Sequence, residues 1–512
     1  MNFVERFSLG RRAGLLLPLS SVRGPSGDLG SYLEAGAVAR YLVSAGCSMW
    51  QLLPLNEVSP GQDSPYAASS SCALEPVYVD LNAVEDLRSG LTDSEKAILD
   101  KARASDRVDF EAYRSVKRSA LSRAFLHFKE RGGIRSLARF REERRDWLPD
   151  WALYRALHDQ RQKSWRDWEP GLRDREPQAL ETARSRLSDA IDELCYVQWI
   201  ADQQWQEGRK AANALGVKVL GDLPFMVAED SADVWSFQRF FRFDATVGVP
   251  PDAYSKDGQD WGLPVPRWEE MRAQGDPWLH LRASRAAELY DAFRVDHVVG
   301  LYRTYGRPVD KSPNFFSPAE PAQQKEQGER ILKLLGEKAV VLAEDLGTVP
   351  DFVRASLKET NIPGTKVLRW ENDMGVPRDV QQFSPVSCAV TGTHDTESLW
   401  DWWEALLDWE RELQLKQPRL AHLRGPSEKK FDQRTRDALL DLAYASTSDA
   451  LLTPITDALG WKQRMNTPGT VGTHNWTFRL PWTTAQLFTE PEAQACAHAL
   501  RELAEKYDRK RT

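Results

Sequence analysis

Residues 339–345 read Ala339-Val340-Val341-Leu342-Ala343-Glu344-Asp345, a short apolar run that stops abruptly at two acids. A run of this length and β-branched content is typical of a strand that is buried on both faces, as strands of parallel sheets are. Two further apolar runs stop at an acid in the same way, residues 292–295 at Asp296 and residues 388–394 at Asp395. The sequence therefore predicts three acids at the carboxyl ends of three buried parallel strands.

Candidate buried strands recur along the chain, and helical patterns separate most of them. They are residues 15–19, 49–53, 217–220, 292–295, 340–343, 365–368, 389–391 and 450–453. Alternating strands and helices predict a parallel sheet with right-handed crossovers, and eight such units favour a closed (β/α)8 TIM barrel over an open doubly wound sheet. The chain has no GxGxxG or GxxxxGK[ST] motif, which weakens the nucleotide-binding alternative.

Two segments are too long to be ordinary crossovers. Residues 90–215, between the second and third strands, have mostly helical patterns and predict a helical subdomain inserted over a barrel loop. Residues 228–290, between the third and fourth strands, are rich in Pro, Gly and Trp and predict a loop-rich insertion, of the kind that often forms lids or binding loops. The expected organisation is one barrel domain over residues 1–512 with these two insertions.

Composition narrows the class of protein. The chain of 512 residues is 41% hydrophobic and 28% charged, as globular proteins are. Its net charge of −7 argues against nucleic acid or an anionic membrane as the main partner. Five scattered cysteines without CxxC spacing predict a reducing compartment such as the cytoplasm, with neither a disulfide framework nor a structural metal. The apolar run after Arg11-Arg12 resembles a secretion signal, but Pro18 interrupts it and we interpret it as the first strand.

The three acids have residue types that suit the breaking of a glycosidic bond. Arg294 stands two positions before Asp296, so a strand places both side chains on one face, and the cation keeps the carboxylate ionised as a nucleophile requires. An acid flanked by an apolar run, as Glu344 is, loses solvation, and its pKa rises as a general acid requires. Asp395 can accept hydrogen bonds from two adjacent sugar hydroxyls, with His394 as a further contact.

These acids also have structural explanations. An alternative explanation is that Asp296 and Arg294 form a salt bridge at the rim of the barrel. Residues 292–297 alone do not decide between a nucleophile and a salt-bridge partner. The alternative for the segment after the apolar run at residues 339–343 is that Asp345 or Thr348 caps the next helix, and this is compatible with a chemical role because it leaves Glu344 free.

Two further segments have competing interpretations. Asp222 lies in Gly221-Asp222-Leu223-Pro224, and on these residues alone a turn before proline is the favoured interpretation. The stretch from residue 248 to residue 262 contains Gln259 and Trp261. In one interpretation these side chains extend over a cleft, where Gln259 offers a hydrogen bond and Trp261 a ring for stacking. In the other, they belong to a well-packed loop without a binding role.

Taken in order, the motifs resemble those of the 4-α-glucanotransferases of glycoside hydrolase family 77, the amylomaltases or disproportionating enzymes. The resemblance covers nearly the whole chain. Its motifs are Leu16-Leu17-Pro18, Gly27-Asp28-Leu29-Gly30, residues 50–55, Ser64-Pro65-Tyr66, Gly221-Asp222-Leu223-Pro224, residues 231–235, residues 250–262, Arg294-Val295-Asp296-His297, residues 343–347, Gly392-Thr393-His394-Asp395, residues 464–470 and Asn475-Trp476. One motif alone is weak, whereas the ordered set is highly specific.

The resemblance implies a role for each acid: Asp296 as nucleophile, Glu344 as acid/base and Asp395 as stabiliser of the transition state. The substrate-binding residues that it implies are Ser64, Tyr66, Asp222, Gln259, Trp261, Arg294, His297, His394 and Asn475. It also implies a (β/α)8 barrel with helical insertions, no separate C-terminal β domain, no cofactor and no metal.

The activity implied is that of a retaining 4-α-glucanotransferase, which moves α-1,4-glucan segments from a malto-oligosaccharide donor to the 4-hydroxyl of an acceptor glucan or glucose. Nucleic acid and membranes are not expected partners. Two alternatives remain open: a retaining α-glucan hydrolase on the same scaffold, and a non-catalytic glucan-binding protein, which would not need the three acids.

The chain departs from the family pattern at several places, and none of them removes a proposed catalytic acid. The departures are Val298-Val299 after the Asp-His pair, Thr396-Glu397-Ser398 after Asp395, Val265-Pro266 in the loop after Gly262, and a shortened first barrel loop at residues 20–28. These departures concern the acceptor preference and the product size that the resemblance implies, and not the reaction class.

Overall fold

The computed structural model describes residues 11–251 and 257–509. The strands in these residues are β1 Arg12–Leu16, β2 Met49–Gln51, β3 Lys218–Leu223, β4 Phe241–Val249, β5 Gln259–Pro266, β6 Ala292–Val295, β7 Thr304–Pro308, β8 Phe315–Ser317, β9 Val340–Ala343, β10 Gly364–Val367, β11 Asn372–Asp373, β12 Val376–Pro377, β13 Ser387–Val390 and β14 Ala450–Pro454. Eight of them pair in parallel and close into a barrel in the order β1-β14-β13-β10-β9-β6-β3-β2. The predicted (β/α)8 barrel is confirmed.

Helices connect the strands and surround the barrel. Within the described residues they span Ala35–Ser44, Asp93–Ala104, Phe110–Glu130, Leu137–Glu143, Leu148–Arg161, Pro170–Arg173, Pro177–Arg186, Ser188–Ala214, Ala232–Ser236, Trp268–Ala273, Pro277–Leu289, Val298–Tyr302, Pro321–Gly336, Asp351–Glu359, Leu399–Ala405, Asp408–Leu415, Gln433–Tyr444, Ile455–Leu459 and Pro491–Lys506. None of these helices has both the length and the apolar character that crossing a bilayer requires.

All eight predicted barrel strands are present, and two of them, β6 and β9, have the predicted bounds. The first strand is displaced: residues 15–19 were expected, and β1 ends at Leu16. Pro18 explains the difference, because proline has no N–H to donate to a neighbouring strand, and the chain turns into a 3-10 helix over Leu19–Ser21.

Side chains fill the interior of the barrel. Met49, Leu220, Leu342, Val390 and Leu452 belong to one buried cluster inside it. Gly14 of β1 has no room for a side chain, since a Cβ there would lie 2.5 Å from the carbonyl oxygen of Met49. The interior is therefore a packed core, and a ligand can meet polar groups only at the carboxyl ends of the strands.

The chain between β2 and β3 is mostly helical. Its helix Ser188–Ala214 packs against Ala35–Ser44 of the barrel layer and against Leu148–Arg161. Four tryptophans in this part of the chain are buried, in agreement with their interpretation as hydrophobic anchors: Trp147, Trp151, Trp165 and Trp168. The division of residues 90–215 into a subdomain of its own stays a prediction.

The segment at residues 228–290 differs from the loop-rich expectation, because it contains β4, β5 and several helices. β4 and β5 join β7 and β8 in an antiparallel sheet of order β5-β4-β7-β8. Pro264 and Pro266 hide the strand pattern in the sequence, and they are tolerated because β5 is an edge strand. Asp252, part of the expected loop motif, lies outside the described residues.

Candidate active site

The three acids meet at one end of the barrel, as predicted. Asp296 directly follows β6, Glu344 directly follows β9, and Asp395 lies in the loop after β13. β6 and β9 are neighbours, and only β10 separates β9 from β13. A small cavity between this end and the apolar barrel core is lined jointly by Arg294, Glu344 and His394.

Arg294 connects the polar groups on one side of the site. Its Nη2 donates to Asp296 Oδ1 at 2.8 Å and to Tyr66 Oη at 3.0 Å. The same nitrogen lies 2.9 Å from Asp222 Oδ2. The salt bridge considered for Asp296 therefore exists, and it fixes the carboxylate at the open end of the barrel instead of excluding a chemical role.

Asp222 lies within β3 and is fully buried, so its interpretation as a turn former is wrong. Tyr66 Oη donates to Asp222 Oδ2 at 2.7 Å, and Arg294 Nε lies within 3.1 Å of both its carboxylate oxygens. Burial raises the pKa of Asp222, while the charge of Arg294 opposes that rise. The arrangement holds Tyr66 and Arg294 in fixed positions above the barrel core.

Glu344 is held by the backbone beside Asp296. Its Oε2 accepts the N–H of His297 at 2.7 Å. His297 has φ of 45°, in the left-handed region that few residues other than glycine adopt. Burial raises the pKa of Glu344 to about 8 against the opposing charge of Arg294, so this carboxyl holds its proton at neutral pH.

The helix-capping explanation for the residues after Glu344 is wrong. The next helix, Asp351–Glu359, begins after Pro350 without a side-chain cap. Asp345 instead accepts the backbone N–H of Thr365 at 2.7 Å, on the neighbouring strand β10. Asp345 thereby ties the end of β9 to β10.

The surroundings of Asp395 favour its ionised form, whereas those of Glu344 favour the protonated form. Asn466 Nδ2 donates to Asp395 Oδ1 at 2.7 Å, and His394 Nε2 lies 3.4 Å from Oδ2. Burial alone would raise the pKa of Asp395, but the charge of His394 and the hydrogen bonds from His394 and Asn466 hold it well below its usual range. Asp395 is therefore ionised while Glu344 is protonated.

Aromatic rings line the site beside Asp395. The rings of Tyr66 and His394 stack, with centroids 5.2 Å apart and an interplanar angle of 21°. Trp476 contacts both rings, at 5.6 Å and 5.8 Å. Ser64 stands behind Tyr66, and its Oγ accepts the Tyr66 N–H at 3.3 Å. Ring faces next to a carboxylate suit a pyranose, which has an apolar face and polar edges.

Strand β5 reaches the site next to His297. The ring of Trp261 meets the ring of His297 edge to face, at 4.8 Å and 82°. Trp261 Nε1 donates to Gln259 Oε1 at 3.2 Å, and Gln259 is exposed. Burial lowers the pKa of His297 to about 4, so its ring is neutral. Trp261 therefore stands beside His297, whose N–H binds Glu344, and Gln259 is held next to Trp261.

The loop at residues 464–476 contains residues that the sequence analysis did not select. Asn466 contacts Asp395 directly, and Arg464 Nη2 donates to the Asp395 backbone oxygen at 2.7 Å. Asn475, which we expected to bind substrate, uses its amide within the loop, toward the Thr467 N–H and the Thr470 carbonyl. The motif at residues 464–470 was the available signal, but nothing in it distinguished Asn466 from Asn475.

The departures from the family pattern have structural roles. Val298 and Val299 are buried. Glu397 Oε1 accepts a hydrogen bond from Arg369 Nη1 at 2.9 Å, and Ser398 caps the helix Leu399–Ala405. Val265, near the end of β5, is also buried.

Comparisons with known proteins identify the family of the chain. The family model of glycoside hydrolase 77, described as 4-alpha-glucanotransferase, matches residues 17–484. The 4-alpha-glucanotransferase of Thermus thermophilus is 33% identical over 492 residues, which cover 92% of this chain and 95% of that protein. The chloroplastic/amyloplastic 4-alpha-glucanotransferase of Solanum tuberosum is 31% identical over 521 residues, which cover 98% of this chain and 86% of that protein.

A solved structure extends the likeness to three dimensions. The amylomaltase from Streptococcus agalactiae, in complex with acarbose, superposes with a TM-score of 0.84 at 27% identity. The match covers 98% of this chain and 100% of that chain. The chain thus belongs to the glycoside hydrolase 77 family of 4-alpha-glucanotransferases.

Proposed function

We propose that this enzyme moves α-1,4-glucan segments from a malto-oligosaccharide donor to the 4-hydroxyl of an acceptor glucan or glucose, with retention of the α configuration. The observation that carries the proposal is the position of Asp296, Glu344 and Asp395 at one end of the barrel, with opposite protonation states of Glu344 and Asp395. Glu344 is protonated because burial raises its pKa, whereas Asp395 is ionised because His394 and Asn466 stabilise its charge. A retaining glycosidase mechanism requires one protonated acid beside ionised carboxylates.

In the first step, an Asp296 carboxylate oxygen attacks the anomeric carbon of the donor. The bond from that carbon to the leaving oxygen breaks, and Glu344 gives its proton to that oxygen. In the second step, the Glu344 carboxylate takes the proton of an acceptor 4-hydroxyl, whose oxygen displaces Asp296. Each displacement inverts the anomeric carbon, so the product keeps the α linkage.

The other residues hold the transferred sugar. We assign Asp395 to the two sugar hydroxyls next to the reacting carbon, where its charge stabilises the transition state. The stacked rings of Tyr66 and His394 supply a face for the pyranose. Arg294 fixes the position of Asp296 through its hydrogen bond to Oδ1.

Incubation with maltotriose tests the reaction class. Transfer yields glucose together with a ladder of oligosaccharides longer than the substrate, and product sizing detects both. Only shorter products would identify the hydrolase alternative. Absence of any product, with glucan binding retained, would identify a non-catalytic glucan-binding protein.

Trp261→Ala is expected to raise the ratio of hydrolysis to transfer about fivefold, equivalent to ~1 kcal/mol between the competing barriers. The ring of Trp261 covers His297, next to Asp296, and its removal opens that side of the glycosyl-enzyme to water. The ratio of free glucose to longer oligosaccharides, measured at a fixed maltotriose concentration, checks this.

Trp261→Phe is the matched control, because it keeps an aromatic ring against His297 while it removes the hydrogen bond to Gln259. Its ratio should stay close to that of the unmodified enzyme. An unchanged ratio in Trp261→Ala would mean that this ring does not limit access of water.

We propose a cytoplasmic location, which the five buried and unpaired cysteines support. We also propose that the segments at residues 90–215 and 228–290 act as insertions that shape access to the barrel. The contact of Trp261 with His297 supports this for the second segment.

A further inference from the structure

One polar side chain lies in the interior of the barrel without a protein partner. Gln51 is the last residue of β2, two positions after Met49 of the interior cluster, so both side chains point into the barrel. Gln51 is 6% exposed, and among the described residues its side-chain amide takes part in no hydrogen bond. Buried amides are nearly always hydrogen-bonded, so the amide of Gln51 requires a partner that is not a protein group.

The small cavity between the acids and the barrel core offers space for such a partner. Gln51 lines this cavity together with Arg294, Glu344 and His394, and apolar side chains of the core complete its walls. The space open to the centre of a water molecule is about 20 Å³, and one water requires about 10–15 Å³ of such space. The cavity therefore fits one water and is far too small for a sugar ring.

Arg294 has unused hydrogen-bond donors at the same cavity. Its Nε donates to Asp222, and its Nη2 donates to Asp296 and Tyr66. Within the part of the chain that the structure describes, its Nη1 donates to no acceptor. A guanidinium carries five N–H donors, so the two on Nη1 are free to bind a molecule in the cavity.

We propose that this cavity binds one water molecule, which Gln51 and Arg294 hold and which donates a hydrogen bond to Glu344, so that Gln51 is a positioning residue for the acid/base. This proposal rests on the proposed function. The water accepts an N–H of Arg294 and donates its two hydrogens to the Gln51 carbonyl oxygen and to a Glu344 carboxyl oxygen. Three hydrogen bonds are the usual number for a buried water.

The water stabilises the charge that Glu344 acquires when it protonates the leaving oxygen. A hydrogen bond donated to a carboxylate favours its ionised form, and here the positive charge of Arg294 polarises the donor. The water acts from the side of the barrel core, so it does not compete with the sugar. It therefore lowers the barrier to proton transfer in the first step.

Crystal structures at high resolution test the water site directly. In the unmodified enzyme, density for an ordered water is expected within about 3.2 Å of Gln51, Arg294 and Glu344. Gln51→Met keeps the length of the side chain and removes its amide, so this water should be absent from that variant. Well-ordered side chains without the water in the unmodified enzyme would overturn the proposal, and so would a water that stays in place in Gln51→Met.

The dependence on the leaving group tests the role of Gln51. Gln51→Met should lower kcat/KM for maltotriose about tenfold, the loss expected for one hydrogen bond to a charged group. The burst of fluoride release from α-maltosyl fluoride should change less than about twofold, because fluoride leaves without a proton. Met49→Leu is the matched control, since Met49 lies on the same strand and does not line the cavity, and it should affect neither donor. An equal loss on both donors would show that Gln51 only supports the fold.

The alkaline limb of kcat/KM is a second readout, which a purely structural role would not move. Loss of a donor to the ionised form raises the pKa of Glu344, so the limb should move to higher pH in Gln51→Met and stay in place in Met49→Leu. A limb that stays in place or moves to lower pH in Gln51→Met would contradict the proposal. Both variants keep the charged and titratable groups around Glu344, which are Arg294, Asp296, His297, Asp345 and His394.

Failure of the proposed function is separately visible. Disproportionation of maltotriose by the unmodified enzyme tests that function. If turnover were absent, the crystal structures of the unmodified enzyme and Gln51→Met would still decide the water site. An active transferase without the water would refute the site and leave the function standing.

Discussion

Asp296→Asn is expected to lower the rate of transfer from maltotriose by about 10⁴-fold or more. The amide that replaces the carboxylate is too weak a nucleophile to form the glycosyl-enzyme. The fold should persist, because Arg294 keeps its contacts with Asp222 and Tyr66 when Asp296 is changed. Initial rates of glucose release, together with the Tm of both proteins, check the result.

The stereochemistry of a rescue reaction separates the role of Asp296 from that of Glu344. In Asp296→Ala, azide can enter the vacated space and attack α-maltosyl fluoride from the side of the missing nucleophile, which gives β-maltosyl azide. In Glu344→Ala, the glycosyl-enzyme still forms, and azide then attacks it from the opposite side to give α-maltosyl azide. Products with the two configurations exchanged would reverse the assignment of the two acids.

Asp373→Asn serves as the control for loss of a carboxylate. Asp373 is exposed on β11, and its Oδ1 lies 2.7 Å from Arg378 Nη2. The activity of the Asp373→Asn variant on maltotriose should equal that of the unmodified enzyme. Retention of more than about a tenth of the activity by Asp296→Asn would remove Asp296 from the role of nucleophile.

The sequence was sufficient to predict the barrel because its strands are buried on both faces. Residues 292–295 lie between Asp291 and Asp296, and the apolar run at residues 339–343 lies between Lys338 and Glu344, so the local pattern indicates both strands. The positions of Asp296 and Glu344 follow from the same pattern, since parallel strands present their carboxyl ends to one side. The raised pKa of Glu344 also follows, because an apolar run predicts desolvation of the acid that ends it.

Other features depend on tertiary contacts that no local pattern contains. β4 and β5 are recognisable only by their pairing with each other and with β7. Asn466 meets Asp395 across 71 positions of sequence, whereas Asn475, in an equally polar stretch, turns inward to its own loop. The left-handed conformation of His297, which directs its N–H to Glu344, is likewise a result of the surrounding fold.

Glu344→Gln is expected to lower transfer from maltotriose by about 10³-fold, since an amide cannot protonate the leaving oxygen. The first step with α-maltosyl fluoride should be affected much less, because fluoride leaves without a proton. Burst measurements of fluoride release, compared with steady-state rates on maltotriose, check the contrast. An equal loss on both donors would mean that Glu344 does not act as the acid.

The pH dependence of kcat/KM in the unmodified enzyme should reflect the ionisation of Glu344. Burial raises the pKa of this carboxyl to about 8, so kcat/KM should fall on the alkaline side with an apparent pKa close to that value. Asp345 is the other buried acid whose ionisation could produce an alkaline limb, and burial raises its pKa to about 6. Asp345→Asn should therefore leave the alkaline limb in place, and a limb near pH 6 that this variant removes would exclude Glu344 as its source.

The same carboxyl makes stability depend on pH in a predictable direction. In the unfolded chain Glu344 loses its proton near 4.5, whereas the folded protein keeps it up to about 8. The stabilisation of the fold by this proton is fully present below about pH 4.5, and it is lost as the pH rises through about 8. The amide introduced by Glu344→Gln does not titrate, so the Tm of this variant relative to wild type should increase between about pH 5 and about pH 9. A constant Tm difference across that range would show that Glu344 is solvated as an ordinary surface acid, and a carboxyl of that kind is already ionised at neutral pH and cannot protonate a leaving sugar.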